Sequence, residues 1–248
     1  MASVVLRMGL VILASGWVSM AYGQATASTS ATKTQAHSPV DDDAQEKLLQ
    51  QAMEQIQAGK SADAIDGPLA QIIQTYETAY GHSKKRIYCA ETMTESLIYL
   101  GSASKDHQEA EVLAKPTWAL AYFLRGYAYG ELGDMTKEQA SLNQALALSP
   151  FNSHFLSELG NTYQTQKNWS AAMETYKSAE GAAEFAPPDQ QIPLRCRSLR
   201  GQGFVLVELH KLDDAAQKYQ DCLRIKPGDQ TSINELGYVK KLQGKAAK

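Results

Sequence analysis

The side chains that most often carry catalysis or hold metals are scattered in this chain. His37, His82, His107, His154 and His210 never pair with another His, Cys or Asp at ligand spacing, and no HExxH-type helix is present. They read as surface histidines. Cys89, Cys196 and Cys222 are too few to build a fold from disulfides and lack zinc-site spacing. Gly201-Gln202-Gly203 is only a GxG inside an expected helix. Asn168-Trp169-Ser170 has the form of a glycosylation sequon, but Trp169 reads as a packing residue. Lys84-Lys85-Arg86 reads either as a solvated helix start or as a contact for an acidic partner. No nucleophile is paired with a base. The expectation is a non-catalytic protein, without cofactor or metal.

Composition narrows the classes further. The 248 residues are 44% hydrophobic and 21% charged, which excludes a wholly disordered chain and a polytopic membrane protein. Lys and Arg total 24 against 27 Asp and Glu, a net charge of -3. Nucleic-acid wrapping needs a dense positive surface, so a nucleic-acid partner is not expected.

Residues 1–23 read as a secretory signal. Arg7 is their only charge, Met8 to Met20 are apolar or small, and Ala21-Tyr22-Gly23 offers small residues at a signal-peptidase cut before Gln24. The run is short for a membrane span. A membrane association is expected only if the signal stays uncleaved as an anchor. The signal looks bacterial, which points to the periplasm. Residues 24–43, rich in Ser, Thr and Ala, read as a flexible linker. Asp41, Asp42 and Asp43 stand either as a solvated run or at the N-terminus of a helix starting near Ala44, where the helix dipole favours negative charge.

The strongest signal is a period. Gly126 and Gly160 lie 34 residues apart, as do Tyr129 and Tyr163, Asp134 and Asn168, and Ala145 and Ala179. Gly203 follows Gly160 by 43, one period plus nine residues, and Gly237 follows Gly203 by 34. Numbering each unit from Ala119, Ser153, Cys196 and Gln230, the first has Tyr122, Gly126, Tyr129, Leu142, Ala145 and Pro150. The second has Leu156, Leu159, Gly160, Tyr163, Ala172, Tyr176 and Ala179. The third has Leu199, Gly203, Leu206, Ala215, Tyr219, Cys222 and Pro227. The last has Ile233, Leu236 and Gly237.

These residues resemble the tetratricopeptide repeat family, strongly over 118–242 and weakly over 44–116. The resemblance implies an all-α, right-handed superhelix of antiparallel helix pairs. Small residues at unit positions 8, 20 and 27 let backbones approach, and aromatics fill the gaps. Gly133-Asp134 suits a helix stop, Thr136 with Gln139 a capping box, and Pro150 and Pro227 end second helices. Residues 118–152 form one repeat, 153–195 a second with an insertion, and 196–229 a third; 230–248 is a capping helix whose Lys240, Lys241 and Lys245 solvate the end. Glu138 departs from the pattern at position 20, and Arg125 and Gln202 at position 7. Residues 180–195 are read as a longer second helix plus a loop. Residues 44–117 are read as one or two degenerate repeats, with helices over Ala44 to Gln57, Leu69 to Tyr80 and Ile87 to Leu100, a break at Gly67-Pro68, and a short helix over Glu109 to Lys115.

In this family the first helices line a concave groove, through positions 2, 5, 9, 12 and 13. Carried over, these are Leu120, Phe123, Tyr127 and Glu131; His154, Ser157, Asn161 and Gln164; Arg197, Arg200, Phe204 and Glu208; and Thr231, Asn234 and Tyr238. The candidate partner-binding residues are Phe123, Tyr127, Asn161, Gln164, Arg197, Arg200 and Tyr238. Some relatives grip a C-terminal carboxylate with Lys and Asn in the first unit, Asn in the second and basic residues in the third. Asn161 and Arg197 match; Phe123 and Tyr127 do not, so that clamp is incomplete. The implied function is a non-catalytic scaffold or adaptor of the bacterial cell envelope holding a peptide or protein. The alternative is an accessory or inhibitory subunit of a secreted or cell-wall enzyme. Self-association through the end units is also open. Replacing Arg197 and Arg200 by Ala is expected to weaken partner capture without unfolding. Cys196 and Cys222 hold positions 1 and 27 of one unit, near one end of a helix pair; they are either disulfide-bonded or free thiols with Cys222 at a small-residue packing site.

Overall fold

The structure, a computed structural model, describes residues 39–246. The expected signal at 1–23, and the expected linker as far as residue 38, lie outside the described residues. The last linker residues belong to the fold. Val40 is buried, and Asp41 caps helix α1 (Asp42–Gln57), its carboxylate accepting the Ala44 N–H. Asp42 and Asp43 fill the first turn, where the helix dipole favours them, and Asp42 also accepts the Tyr76 hydroxyl at 2.8 Å.

α1 opens a leading repeat. Its stop, Gly59, has φ +74°, and the equivalent stops after the later first helices are Gly133 (+81°), Lys167 (+59°) and His210 (+58°). All four lie at unit position 15 when the leading unit starts at Gln45. That register places Ala52 and Ala64, both fully buried, at the small positions 8 and 20. The second helix of this unit is broken: α2 (Ser61–Ala64) passes through a wider turn, Ile65–Leu69, into α3 (Ala70–Tyr80). Gly67 leaves helical geometry there (φ -103°, ψ -105°), and Pro68 has no N–H to continue the ladder.

Residues 86–113 overturn the expected helices over Ile87 to Leu100 and Glu109 to Lys115. They form strand β1 (Arg86–Cys89), helix α4 (Met93–Lys105) and strand β2 (Ala110–Leu113), the strands pairing in parallel with Arg86 opposite Ala110 and Cys89 opposite Leu113. Side chains alternate across this sheet. Ile87, Cys89 and Leu113 join the main core, while Tyr88, Ala110 and Val112 meet Tyr99 and Ala103 of α4. A strand of four residues is too short to show its period against a helical one. One degenerate repeat and a β–α–β insert thus occupy the region read as one or two repeats.

The regular array follows: α5 (Thr117–Glu131), α6 (Met135–Leu148), α7 (Ser153–Thr165), α8 (Trp169–Ala182), α9 (Pro188–Glu208), α10 (Leu212–Ile225) and α11 (Gln230–Ala246). Each first helix packs on its own second helix, and each second helix on the next first helix. α6 is capped by Asp134, which accepts the Lys137 N–H at 3.0 Å, and not by the expected Thr136–Gln139 box. Asn168 caps α8 in the same way.

The position-8 glycines seat the residue at position 24 of the same unit. A Cβ on Gly126 would lie 3.1 Å from Leu142, on Gly160 2.8 Å from Tyr176, and on Gly203 2.7 Å from Tyr219. Gly201 closes on the other side of Tyr176, where a Cβ would come within 2.4 Å of the ring. The GxG triplet therefore serves packing. Glu138 at position 20 is accommodated by another absent side chain: a Cβ on Gly130 would meet its carboxylate at 2.9 Å, and the Thr162 hydroxyl donates to that carboxylate at 2.9 Å.

The nine-residue insertion lies elsewhere than expected. α8 stops on schedule at Ala182, a 3₁₀ turn covers Ala183–Phe185, and Pro188 starts α9 about two turns before the unit begins at Cys196. It lengthens the next first helix rather than the preceding second one. The two irregular segments then meet: the Thr92 hydroxyl donates to the Phe185 carbonyl at 2.9 Å, and Phe151 packs between Tyr99 at 6.0 Å and Phe185 at 6.1 Å.

The glycine seats make a direct prediction. Gly160→Leu is expected to destabilise the protein by roughly 2–3 kcal/mol or more, because Tyr176 has no space into which to move. Chemical denaturation checks this, and unchanged stability would contradict the seat.

Candidate functional site

The seven candidate binding residues fall into two sets. The first, Phe123, Gln164, Arg197 and Arg200, is engaged in contacts within the stack, between neighbouring units or, for Gln164, inside one unit. Phe123, 4% exposed, stacks on Phe155 of the next unit at 4.8 Å and meets the His154 ring at 4.8 Å. Arg197 of α9 pairs with Glu158 of α7, whose side chain is 10% exposed. Arg200 of α9 pairs at 2.9 Å with Asp229, which caps α11 by accepting the Ser232 N–H at 2.9 Å. Ser157 and Ser198 hydrogen-bond at 3.3 Å across the same α7–α9 seam. Gln164, half-buried, accepts the Tyr176 hydroxyl at 3.2 Å.

These contacts correct one expectation. Removing Arg197 leaves the buried carboxylate of Glu158 without its cation, and removing Arg200 leaves Asp229 only the half-exposed Lys226 at 3.4 Å; an uncompensated buried charge is strongly destabilising. Ala at both sites therefore alters the stack as well as any partner contact. The acids stand at unit position 6 and just ahead of α11, outside the groove positions, so a reading of the groove alone passes over them.

The second set is Tyr127, which also packs against the main core, Asn161 and Tyr238; Phe204 joins them at the same unit position. Tyr127 and Asn161 are half-buried, Phe204 is 37% exposed and Tyr238 52%. All four hold unit position 9, on successive first helices. The face thus presents a row of aromatic, amide, aromatic and aromatic side chains that grows more exposed toward α11. Two surface clefts, of about 340 Å³ against Met173, Leu206 and Leu209 and about 670 Å³ against Leu48, Gln71 and Gln74, lie away from this row.

Several groups with shifted proton affinity are engaged in internal contacts. His154 is not the expected surface histidine: burial, then the Arg197 charge, pull its pKa down to about 4, with Glu158 opposing, so the imidazole is neutral near pH 7. Glu95, 2% exposed, completes a capping box at Thr92-Met93-Thr94-Glu95: the Thr92 hydroxyl oxygen accepts the Glu95 N–H at 3.1 Å, and the Glu95 carboxylate accepts the Glu91 N–H at 2.6 Å. Burial pushes its pKa up to about 7, with the Glu91 charge adding to the rise. Burial raises Glu91 too, while Asn152, the cap of α7, donates to it at 3.0 Å. With the Ser149 hydroxyl donating to the Cys89 carbonyl at 2.6 Å, this joint fastens the β–α–β insert to the turn between α6 and α7. A Thr-x-x-Glu spacing was the sequence signal for it. Cys196 and Cys222 are joined, Sγ to Sγ, across α9 and α10, and Cys89 is buried with its thiol pushed up to about 12. Among the described residues no helix is long and apolar enough to cross a membrane.

Comparison with known proteins agrees with this architecture. Residues 119–152 match the tetratricopeptide repeat family. No curated protein matches the sequence. The fold is similar to that of PilF from Pseudomonas aeruginosa, with a TM-score of 0.57 and 15% identity over 82% of this chain and 71% of that one. It is also similar to MamA from Desulfovibrio magneticus RS-1, with a TM-score of 0.52 and 12% identity over 82% and 86%. The protein thus has the all-α fold of a tetratricopeptide solenoid, interrupted by a two-stranded insert.

Two predictions follow from these contacts. Reducing the disulfide, which closes a 26-residue separation, is expected to lower stability by about 3.5 kcal/mol in the chain-entropy account. Denaturant unfolding with and without reductant reads this out, and coincident curves would contradict it. For Glu95, a folded-state pKa above the unfolded value favours the protonated form, so its penalty is absent below pH ~4 and complete above pH ~7. Glu95→Gln should stabilise the protein by roughly 3 kcal/mol at pH 8 and have little effect at pH 4. Equal effects at both pH values would remove the buried charge from the account.

Proposed function

We propose that the protein is an exported, non-catalytic scaffold of the bacterial cell envelope that holds a peptide or protein along the outward face of its first helices. The observation that carries this reading is the position-9 row, in which Phe204 and Tyr238 stand exposed at equivalent places on adjacent units. Aromatic side chains that a fold leaves uncovered are the usual anchors of binding energy. The amide of Asn161 beside them suits the backbone of an extended or helical segment.

The non-catalytic reading is supported by the fate of the reactive groups. His154, Glu91 and Glu95 are engaged in seams, and Cys196 and Cys222 in a disulfide. Export is supported by the apolar run from Met8 to Met20 with small residues before Gln24, and by a disulfide that an oxidising compartment maintains. Arg197 and Arg200 already serve Glu158 and Asp229, so this reading rests the partner contact on aromatic and amide groups instead of a carboxylate clamp.

Replacing Phe204 and Tyr238 together by Ala is expected to leave the melting temperature within about 2 °C of the parent, because exposed side chains contribute little to stability. It should reduce recovery of the in-cell partner by at least tenfold, on the order of 1.4 kcal/mol. Affinity purification from cells after crosslinking, with quantitative mass spectrometry, measures this. Undiminished recovery with both aromatics gone would exclude the row as the binding face.

A further inference from the structure

The unit that begins at Cys196 departs from its neighbours at two positions, and both departures lie in one cleft. At unit position 16 the two preceding units hold Asp134 and Asn168, which cap α6 and α8 by accepting the Lys137 N–H at 3.0 Å and the Ala171 N–H at 3.2 Å. Here that position is Lys211, whose side chain caps nothing. The first-turn N–H groups of α10, at the positive end of its dipole, thus lack the acceptor that the earlier units provide. At unit position 7 the preceding unit buries Leu159, whereas this one buries Gln202 completely. Gln202 Nε2 donates to Glu180 at 2.8 Å, which sets the orientation of the amide, and Gln202 Oε1 accepts no hydrogen bond among the described residues. A buried acceptor without a donor is a cost that a bound molecule removes.

Gln202 and Lys211 both line the cleft of about 340 Å³ between α8, α9 and α10. Its apolar wall is Met173, Leu206 and Leu209, the last 41% exposed. Lys211, Asp214 and Lys218, three and four residues apart on one face of α10, line it from the other side, and Lys177 of α8 joins them. Lys177 also meets Glu174 at 2.9 Å and Lys218 meets Glu180 at 3.9 Å, while Lys211 is in no ion pair among the described residues. The neighbouring Asp213 is not part of the lining, and its carboxylate accepts from Gln243 at 2.6 Å. The cleft thus sets three cations and a bare helix N-terminus against one acid, beside an apolar wall.

From this we infer that the cleft binds a small amphipathic carboxylate bearing an N–H donor, of which an N-acylated apolar amino acid is the simplest example. The carboxylate takes the place at α10 that the Asp134 and Asn168 side chains hold at α6 and α8, with Lys211 and Lys218 beside it. The apolar group covers Met173, Leu206 and Leu209. The N–H supplies the donor that Gln202 Oε1 lacks. The volume is that of a site for a free small molecule. The cleft lies away from the position-9 row, and its ligand does not depend on that row.

The test titrates N-acetyl-leucine into the disulfide-bonded protein, with N-acetyl-leucinamide as the uncharged control, and follows backbone NMR shifts. Saturable shifts are expected at Leu206, Lys211 and Asp214, with a Kd of about 1 mM or tighter and about tenfold weaker binding of the amide. Lys211→Asn gives α10 the cap residue of α8. It should leave melting unchanged or raise it, and should weaken binding by about tenfold, because the new side chain occupies the place of the carboxylate. Gln202→Leu restores the buried apolar residue of the preceding unit. It should keep the fold and weaken binding by about fivefold through loss of the acceptor. Absence of saturable shifts at about 10 mM overturns the inference. Equal affinity for the uncharged amide, or undiminished binding by either variant, does so too.

Discussion

The architecture depends on a contact between a missing side chain and a large one. Gly160 and Gly203 let Tyr176 and Tyr219 lie against the backbone of the first helix closer than a Cβ there would allow, and Gly126 gives Leu142 a seat that a Cβ would crowd. Because each seat joins the two helices of one unit, it fixes their separation and rotation. The next unit is then placed by what its neighbour offers: Gly201 against Tyr176, Thr162 under Glu138, Phe155 against Phe123. Stability of such an array is close to a sum of unit and nearest-neighbour terms, so each seam matters locally.

The same stacking decides which side chains remain available to a partner. Positions 2 and 5 of the first helices lie where adjacent units close, and they are drawn into seams as stacked rings, ion pairs and a serine pair. Position 9 is covered less toward α11: Tyr127 and Asn161 are half-buried, and Phe204 and Tyr238 are exposed. The irregular segments do the complementary task at the edge of the array. The β–α–β insert and the extended start of α9 are both departures from the period, yet they meet through Thr92, Phe151 and Phe185. Polar bonds from Ser149 and Asn152 hold the same joint.

Much of this was legible in the sequence, and the exceptions have causes. The 34-residue spacing of Gly126, Gly160 and Tyr163 reports packing that every unit must satisfy, so it located α5 to α10 and the half-unit α11. The seat itself could be anticipated because only glycine tolerates a ring so close. Arg86–Cys89 and Ala110–Leu113 read as helix because a strand of four residues is too short to show its alternation against a helical period. The leading unit was obscured by Gly67-Pro68, which replaces the position-24 aromatic, although Gly59, Ala52 and Ala64 kept its register. The groove positions can be read from the repeat register, but the contacts their side chains make inside the stack cannot. Whether an arginine faces a ligand or a neighbour is set by acids from other helices, and Glu158 and Asp229 become visible as partners only once the helices are stacked.

The central claim is that unit stacking leaves one face of the first helices open for another polypeptide. A photo-crosslinking amino acid placed at Phe204 and, in a second variant, at exposed Gln220 on α10 compares that face with the second-helix surface in living cells. The account predicts a discrete crosslinked partner from position 204 and none of that species from position 220. The same species in equal yield from both positions, or from position 220 alone, would contradict it.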